Sequence, residues 1–158
     1  MTNKPHILLI MADQLRADCI GIAGHPLINT PNIDYLANQG ILFENAYTTS
    51  PLCVPARTSM TTGLYPHNSN LWQNDSTIPL DSDTYMHRLK ESGYTTCSIG
   101  KNHLYPMENC NLYSNHPNYN LIGFDHIEDM SGTWGIIDGK SVYTDYLDNL
   151  GLKTDLSK

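Results

Sequence analysis

Three apolar runs alternate with amphipathic segments along the chain. The run HILLIMA at residues 6–12 stops at Asp13, and the runs ILFENAY and YTTCSIG follow at residues 41–47 and 94–100. Continuous apolar runs of this length are typical of strands that are covered on both faces, so each is predicted to be a strand. The segment GFDHIEDM at residues 123–130 predicts one more short strand.

Helix signals fill the intervals between these runs. Thr30 and Pro31 supply a cap and a first-turn proline for a helix that Gly40 ends, which is the usual order of capping residues. Another short helix is predicted to run up to Gly63, and further helices are predicted at residues 83–92 and 141–152. Strands that alternate with helices predict an α/β fold with a mainly parallel sheet flanked by helices.

Two stretches carry neither helical nor strand periodicity. Residues 64–79 are rich in turn-forming residues, and residues 105–120 are rich in Asn, Tyr, Pro and His. Both are predicted to be loops, the second a long functional one. The chain contains no internal repeat and no low-complexity tract, so residues 1–158 are predicted to belong to one domain.

The net charge excludes one broad class of function. The chain carries a formal charge of -7, whereas a general nucleic-acid binder needs a basic surface that displaces counterions from phosphates. No nucleic-acid partner is therefore expected, and any anion must be met by a few local cations. Arg57 is the only Lys or Arg between residues 17 and 87, and Lys101 is the only one between residues 91 and 139.

The N-terminal residues and the cysteines give indications of the cellular compartment in which the protein is located. The first apolar run is short, ends at an acidic residue and has no small-residue cleavage site, and no run approaches the ~20 residues that span a bilayer. The four cysteines are scattered without a close pair, which favours free thiols in a reducing compartment. A cytoplasmic location without a membrane partner is therefore expected.

Cys53 and Arg57 stand in an unusual local pattern, SPLCVPART. A cysteine that enters a helix has its thiolate stabilised by the helix N-terminus, and Pro55 suits the first turn because it lacks an N–H. Arg57, one turn later, is able to face the same side as Cys53. On local spacing alone a buried structural thiol remains an open alternative, because free cysteines are among the most buried residues.

Three motifs follow one another in a recognisable order. SPLCVPAR at residues 50–57, followed by TGLYP, resembles the signature, with a Cys-x-Pro-Ser/Ala-Arg core, of the type I sulfatase family in the alkaline-phosphatase-like superfamily. TPNID and GILFENAY, at residues 30–34 and 40–47, resemble a second segment of the family. GYTTCSIGKNH at residues 93–103 resembles its second signature. The resemblance covers residues 5–104 and implies a sulfatase-like α/β fold.

The resemblance implies a nucleophile and its supporting residues. In this family the cysteine is oxidised to formylglycine by a separate maturation enzyme, so Cys53 is expected to be the precursor of the nucleophile. Its hydrate would attack sulfur with one hydroxyl and later release sulfate by breaking a carbon–oxygen bond. Arg57 would orient this group, Lys101 would bind a sulfate oxygen, and His103 would hydrogen-bond the nucleophile or the ester oxygen.

The resemblance also implies one divalent cation. Asp13, which matches the end of the family's metal-binding strand, would be a hard oxygen ligand, Gln14 a weaker one, and the group at Cys53 would face the same ion. Ca²⁺ is expected, with Mg²⁺ or Mn²⁺ as alternatives. The Asp-Gln form is closer to the choline-sulfatase and phosphonate monoester hydrolase branch, and Asn102 stands where tryptophan is common.

The implied activity is hydrolysis of a sulfuric ester, with a small-molecule sulfate ester or a sulfated glycan as substrate. Phosphonate or phosphodiester hydrolysis is the alternative within the superfamily. The family completes its metal site far downstream, so residues 1–158 are expected to be an N-terminal portion of the catalytic domain that is inactive alone. Any oligomer would then form through missing regions. Asp125 and His126 spell a downstream-type ligand pair but come too early in the chain.

A structural zinc site belongs to a different class of function. Cys97, His103, Cys110 and His116 are possible ligands. Their spacing includes no Cys-x₂-Cys pair, and Lys101 would add an unfavourable positive charge among them. This interpretation is a remote alternative.

Overall fold

A computed structural model describes residues 4–106, 111–130, 132 and 139–152. The chain divides into two compact units, Met1–Ala46 and Tyr47–Lys158. The first unit contains two short 3₁₀ turns and the helix α1, and their bounds are Ala17–Cys19, Gly21–Ala23 and Pro31–Gln39.

Thr30 and Asp34 join α1 to the turn that precedes it. The Thr30 hydroxyl accepts a hydrogen bond from the Gly21 N–H and donates one to the Asp34 carboxylate, both at 2.8 Å. Asp34 also accepts from the Ile22 N–H at 2.9 Å. A Cβ at Gly21 would lie 2.4 Å from an Asp34 oxygen, so this close approach requires glycine. Gly40 ends α1, as predicted.

The apolar runs at residues 6–12 and 41–47 form no strand, so both strand predictions were wrong. The side chains of these runs are exposed: Leu8 is 83% exposed and Phe43 is 76% exposed. An apolar run becomes a strand only where another backbone segment pairs with it. Among the described residues the only paired strands belong to the second unit.

Five helices lie in the described part of the second unit, and the capping residues explain where they begin and end. The bounds are α2 Cys53–Thr62, α3 Pro66–Ser69, α4 Tyr85–Glu91, α5 His116–Leu121 and α6 Val142–Asn149. Gly63 ends α2 in a left-handed conformation with φ 73°, which glycine adopts without strain. Thr84 caps α4 by accepting the His87 N–H at 3.3 Å, and Ser141 forms a capping box at the start of α6. These bounds confirm the helices predicted before Gly63 and within residues 83–92 and 141–152.

Two short helices lie where loops were predicted. The helix α3 occupies part of residues 64–79, and a 3₁₀ turn at Tyr113–Asn115 leads into α5 within residues 105–120. Each helix has a proline in its first turn, where the missing N–H costs nothing and the restricted φ favours helix. They are too short to show a 3.6-residue period. Residues 107–110 of the predicted long loop lie outside the described residues.

A parallel pair of strands forms the sheet of the second unit. Strand β1, Cys97–Gly100, pairs with strand β2, His126–Asp129, in a register that places Cys97 opposite His126 and Gly100 opposite Asp129. Both strands confirm the predictions for residues 94–100 and 123–130, and their parallel direction fits the predicted sheet. The carboxyl ends of both strands therefore meet at the same edge.

Asp125 stabilises the amino ends of this strand pair. One carboxylate oxygen accepts the Thr96 N–H at 2.9 Å, and the other lies 2.7 Å from the Lys90 ammonium. The Lys90 contact, together with hydrogen bonds from Thr96, lowers the pKa of Asp125 to about 2. The carboxylate thus stays ionised through the neutral range and keeps the amino ends of β1 and β2 in register.

The buried core of the second unit packs directly beneath the strand pair. Tyr119 is fully buried, and its ring makes edge-to-face contacts with Tyr105 and Phe124 at centroid distances of 5.2 and 6.1 Å. Burial raises the pKa of Tyr105 to about 12. The cluster consists of Ile78, Met86, Leu104, Tyr105, Tyr119, Ile122, Phe124 and Ile127. No helix in the described ranges is long and apolar enough to cross a membrane.

Truncation of Ile122 tests this core. Ile122 is 0% exposed, so Ile122→Ala should leave a cavity and lower the free energy of unfolding by about 2–5 kcal/mol. The neighbouring Leu121 is 57% exposed, and Leu121→Ala should change it by less than about 0.5 kcal/mol. Urea unfolding of both variants measures the difference. Equal losses would contradict the assignment of the core.

Candidate anion-binding and nucleophile site

Cys53 is the first residue of α2 and is half-buried. Leu52 before it is extended, and the first turn contains no acidic residue. The unsatisfied N–H groups of a helix N-terminus favour negative charge on a neighbouring side chain or ligand. The sequence prediction that Cys53 enters a helix is therefore confirmed. Cys19, Cys53 and Cys97 are all free thiols.

Asn74 fixes the start of α2 from outside the helix. Its side-chain oxygen accepts the Val54 N–H at 3.0 Å, whereas Leu52 offers no side chain that could do so. Val54 is 1% exposed, so this N–H needs a protein partner. Asn74 thereby holds the turn that carries Cys53.

Lys101 immediately follows strand β1 and points towards Cys53. The distance from its ammonium nitrogen to the Cys53 sulfur is 3.9 Å. A Cβ added at Gly132 would lie 3.6 Å from the same nitrogen, so the Gly132 backbone passes beside the ammonium. A positive charge and a helix N-terminus thus converge on the Cys53 side chain, and this combination suits an anion.

Arg57 connects the helix to the segment that carries Lys101. Its side chain is buried, with 8% of the residue exposed, and its guanidinium donates a hydrogen bond to the Lys101 carbonyl. A guanidinium is a rigid, permanently charged donor group, so this bond fixes the backbone at Lys101 relative to α2. The structure brings together Cys53, Arg57 and Lys101, which the sequence predicted to act together.

His103 and Gln14 share an unusual backbone conformation. Among the described residues, the non-glycine residues with positive φ are Gln14, Asn70 and His103, with φ values of 53°, 56° and 53°. Such conformations cost roughly 1–3 kcal/mol and tend to cluster at functional sites. His103 is half-buried and stands two residues after Lys101. Two of the predicted site residues therefore carry backbone strain.

Asp13 and Gln14 lie in the first unit, and both are exposed. A carboxylate and a side-chain amide oxygen are the donor types that Ca²⁺ and Mg²⁺ prefer, so their chemistry fits the expected cation. Ca²⁺ takes roughly 6–8 oxygen ligands, more than these two residues supply. No cluster of three or more His, Cys, Asp or Glu side chains suited to a metal occurs among the residues that the structure describes.

The other predicted ligand candidates are engaged elsewhere. Asp125 binds Lys90 and Thr96, and His126 lies 3.1 Å from the Glu128 carboxylate. Asp125 therefore stabilises the strand pair. Of the remote zinc set, Cys97 is exposed, while Cys110 lies outside the described residues.

A cavity of about 340 Å³ lies beside α2. Ala56, Ser59, Met60 and Gly63 contribute the helix wall, and Tyr47, Thr48, Thr49, Leu64 and Tyr65 contribute the rest. None of the predicted site residues lines it. The cavity is therefore separate from the Cys53 and Lys101 site.

Sequence reasoning missed two residues that hold the site together, Asn74 and Asp129. Asn74 carries a glycosylation-like sequence, which gave no sign of a capping role. Asp129 accepts a hydrogen bond from the Asn102 N–H at 3.2 Å, across the strand pair. The only available signal was the polar residue at the end of a predicted strand. Neither partner is close in sequence.

Comparison with known proteins identifies the relatives of this site. The sequence model of the Sulfatase family matches residues 5–153. An arylsulfatase of Clostridium perfringens is 41% identical over 107 residues, which is 67% of this chain and 22% of the relative. An N-acetylglucosamine-6-O-sulfatase of Bacteroides thetaiotaomicron is 34% identical over 147 residues, 93% of this chain and 23% of the relative.

A solved structure of a related enzyme has a similar fold. The phosphonate monoester hydrolase of Agrobacterium radiobacter superposes with a TM-score of 0.73 at 27% identity, covering 94% of this chain and 29% of that protein. The chain thus spans between 22% and 29% of the length of these three proteins. The relatives and the structure agree on one superfamily.

The fold and the site define an α/β protein in which a lysine ammonium faces a cysteine at a helix N-terminus. The match over residues 5–153 extends the assignment from fold to family. The chain belongs to the sulfatase family, as the ordered motifs predicted.

Replacement of Arg57 tests the link between α2 and Lys101. Arg57→Ala removes a buried donor and leaves the Lys101 carbonyl without this partner, so the free energy of unfolding should fall by about 1–3 kcal/mol. Arg88 is a matched control, because its side chain is 65% exposed and pairs with Asp83 and Glu91 at the surface. Arg88→Ala should cost less than about 1 kcal/mol. Urea unfolding measures both, and an Arg57→Ala loss no larger than that of Arg88→Ala would refute the link.

Proposed function

We propose that this chain carries the nucleophile half of a sulfuric ester hydrolase. The nucleophile would be a formylglycine made from Cys53, and the substrate would be a small-molecule sulfate ester or a sulfated glycan. The observation that carries the proposal is the approach of the Lys101 ammonium to within 3.9 Å of the Cys53 sulfur. The match to the sulfatase family over residues 5–153 supports the same reaction class.

Position 53 suits the proposed modification. The sulfur of Cys53 stands in for the oxygen that a formylglycine would bear, and it lies half-buried at a helix N-terminus. When present, a hydrated formylglycine supplies a nucleophilic oxygen and a second hydroxyl through which sulfate is released. The surrounding chain has the task of holding that oxygen and the sulfate in place.

Three side chains divide this task. Lys101 holds a sulfate oxygen with its ammonium, since charge-assisted hydrogen bonds are roughly twice as strong as neutral ones. Arg57 keeps the Lys101 backbone in position through its hydrogen bond to the carbonyl. His103, two residues after Lys101 and half-buried, is suited to hydrogen-bond the nucleophile or to donate a proton to the departing ester oxygen.

Asp13 and Gln14 would hold a divalent cation, which we propose to be Ca²⁺. Their oxygens are hard donors, and the left-handed backbone of Gln14 turns the chain directly after Asp13. The cation would polarise the ester and favour the ionised nucleophile. Because these residues supply fewer ligands than Ca²⁺ takes, we infer that further ligands come from outside the described residues.

A phosphonate or phosphodiester hydrolase is the second candidate. The phosphonate monoester hydrolase of Agrobacterium radiobacter covers 94% of this chain with a TM-score of 0.73, and Asp13-Gln14 has the form expected for that branch. A lysine ammonium binds tetrahedral phosphorus and sulfur oxyanions alike. Sulfate esters are favoured because the family model and the arylsulfatase relative both point to them.

Partners and location follow from the same proposal. A separate maturation enzyme would read the sequence around Cys53, including Pro55 and Arg57. The N-acetylglucosamine-6-O-sulfatase relative supports a glycan as one substrate type. A cytoplasmic location remains a prediction from the scattered cysteines.

Peptide mass spectrometry tests the nucleophile. When the chain is produced together with a formylglycine-generating enzyme, the peptide that contains Cys53 should lose about 18 Da, the difference between a thiol and an aldehyde. Cys97 is a matched control in the same chain, because it is exposed but lacks the following proline and arginine. Its peptide should keep the mass of cysteine. An unchanged Cys53 peptide, or an equal conversion of Cys97, would contradict the proposal.

Hydrolysis rates distinguish the two candidate reactions. A full-length protein that contains this chain, matured and supplied with Ca²⁺, should cleave 4-nitrophenyl sulfate at least about tenfold faster than an aryl phosphonate monoester, as expected if one oxyanion is held better by about 1.4 kcal/mol. The 158-residue chain alone is the control and should show no turnover, because two oxygen ligands do not complete a Ca²⁺ site. Faster cleavage of the phosphonate would favour the second candidate, and turnover by the chain alone would refute its proposed incompleteness.

A further inference from the structure

Asp129 is a buried carboxylate beneath the segment that carries Lys101. It is the last residue of β2, lies opposite Gly100 at the end of β1, and is 2% exposed. Burying a carboxylate is costly unless hydrogen-bond donors compensate it. Asp129 therefore needs hydrogen-bond donors that stabilise its buried carboxylate.

Two of these donors belong to Asn102. The backbone N–H and the side-chain amide of Asn102 each donate to the same Asp129 oxygen at 3.2 Å. The remaining amide oxygen of Asn102 accepts the Ser98 hydroxyl at 2.6 Å, and its NH₂ group lies 3.3 Å from the Gly100 carbonyl. Asn102 is thus held by its backbone and its side chain to the ends of both strands.

The contacts of Asp129 complete a clamp around one peptide group. The Lys101 carbonyl and the Asn102 N–H belong to the same planar peptide. Arg57 donates to the carbonyl side, and Asp129 accepts from the N–H side. A positive group at the oxygen and a negative group at the N–H match the dipole of the peptide. Two buried charges of opposite sign therefore fix the orientation of the plane from which the Lys101 side chain departs.

The Asp129 side of this clamp is buried. Tyr119, which is fully buried, lies close to the carboxylate, and burial together with this negative charge raises the pKa of the Tyr119 hydroxyl. Burial also raises the pKa of Asp129, while hydrogen bonds, first those from Asn102 and then one from the Met130 N–H among others, oppose that rise. Hydrogen bonds in such surroundings are stronger than in water, which makes the position of Asn102 well defined.

We propose that Asp129 is a positioning residue that acts through Asn102 to hold the Lys101 ammonium beside the side chain at position 53. The inference rests on the proposed function of Lys101 as the contact for a sulfate oxygen. Asn102 stands where the family commonly has tryptophan. It links the end of β2 to the backbone that carries Lys101. Asp129 and Asn102 thus form one unit with Arg57, although they are far apart in sequence.

Inorganic sulfate is the probe for this inference. NMR titration of the 158-residue chain should give a dissociation constant that rises roughly tenfold in Asp129→Leu, as expected when a buried charged acceptor is lost. Asp129→Asn retains an acceptor oxygen and should show a smaller rise. In the same spectra the Asn102 amide should exchange with solvent at least about tenfold faster in Asp129→Leu than in the unchanged chain.

A control variant separates positioning from general destabilisation. Thr84 is 2% exposed and donates a buried hydrogen bond to the Ile122 carbonyl, so Thr84→Ala loses a comparable interaction outside the clamp. Its sulfate affinity and its Asn102 exchange, corrected for global stability, should match those of the unchanged chain. Equal effects in Thr84→Ala and Asp129→Leu would overturn the inference.

A double variant tests whether Asp129 acts through Lys101. In a Lys101→Ala background, Asp129→Leu should weaken sulfate binding no further, because the ammonium that it positions is gone. A further tenfold loss would show an independent effect and overturn the inference.

If the unchanged chain binds sulfate no better than Lys101→Ala, the proposed anion contact fails. The exchange of the Asn102 amide then decides the positioning role by itself. A faster exchange in Asp129→Leu alone supports that role, and an unchanged exchange overturns it.

Discussion

The hydrogen bond from the buried Arg57 guanidinium to the Lys101 carbonyl joins the two elements that form the candidate site. Helix α2 presents Cys53 at its N-terminus, and strand β1 delivers Lys101 at its carboxyl end. Without a rigid contact between them, the 3.9 Å approach of the ammonium to the sulfur would depend on two flexible side chains. A planar, permanently charged donor is suited to this contact. The geometry of the site thus depends on one buried arginine.

Positive charge is concentrated near the N-terminus of α2, although the chain as a whole carries a negative net charge. The formal charge is -7, yet Arg57 and Lys101 converge near a helix N-terminus whose first turn has no acidic residue. Local cations and oriented N–H groups act over a few ångströms, where solvent screening is weak, whereas the net charge acts over longer distances and is screened by salt. A local concentration of positive charge is therefore compatible with an acidic net charge.

The elements that could be predicted are those whose signals are local. Thr30, Pro31 and Gly40 delimit α1, and Gly63 ends α2, because capping and backbone preferences act within one or two turns. The runs at residues 6–12 and 41–47 have the composition of strands but form none, because strand formation requires pairing with a distant segment. The runs that contain β1 and β2 do form strands, because each of them pairs with the other.

The sequence by itself predicted the members of the candidate site: Cys53, Arg57 and Lys101 lie in ordered motifs that resemble those of the sulfatase family. Tertiary structure decided how these side chains are held. Asn74 caps the helix of Cys53, and Asp129 holds Asn102 across the strand pair. These contacts join residues that lie 20 and 27 positions apart, and no local pattern encodes them. The chemical type of each side chain is given by the sequence alone. The hydrogen-bond partners of buried N–H groups are set only when the strands and helices pack together.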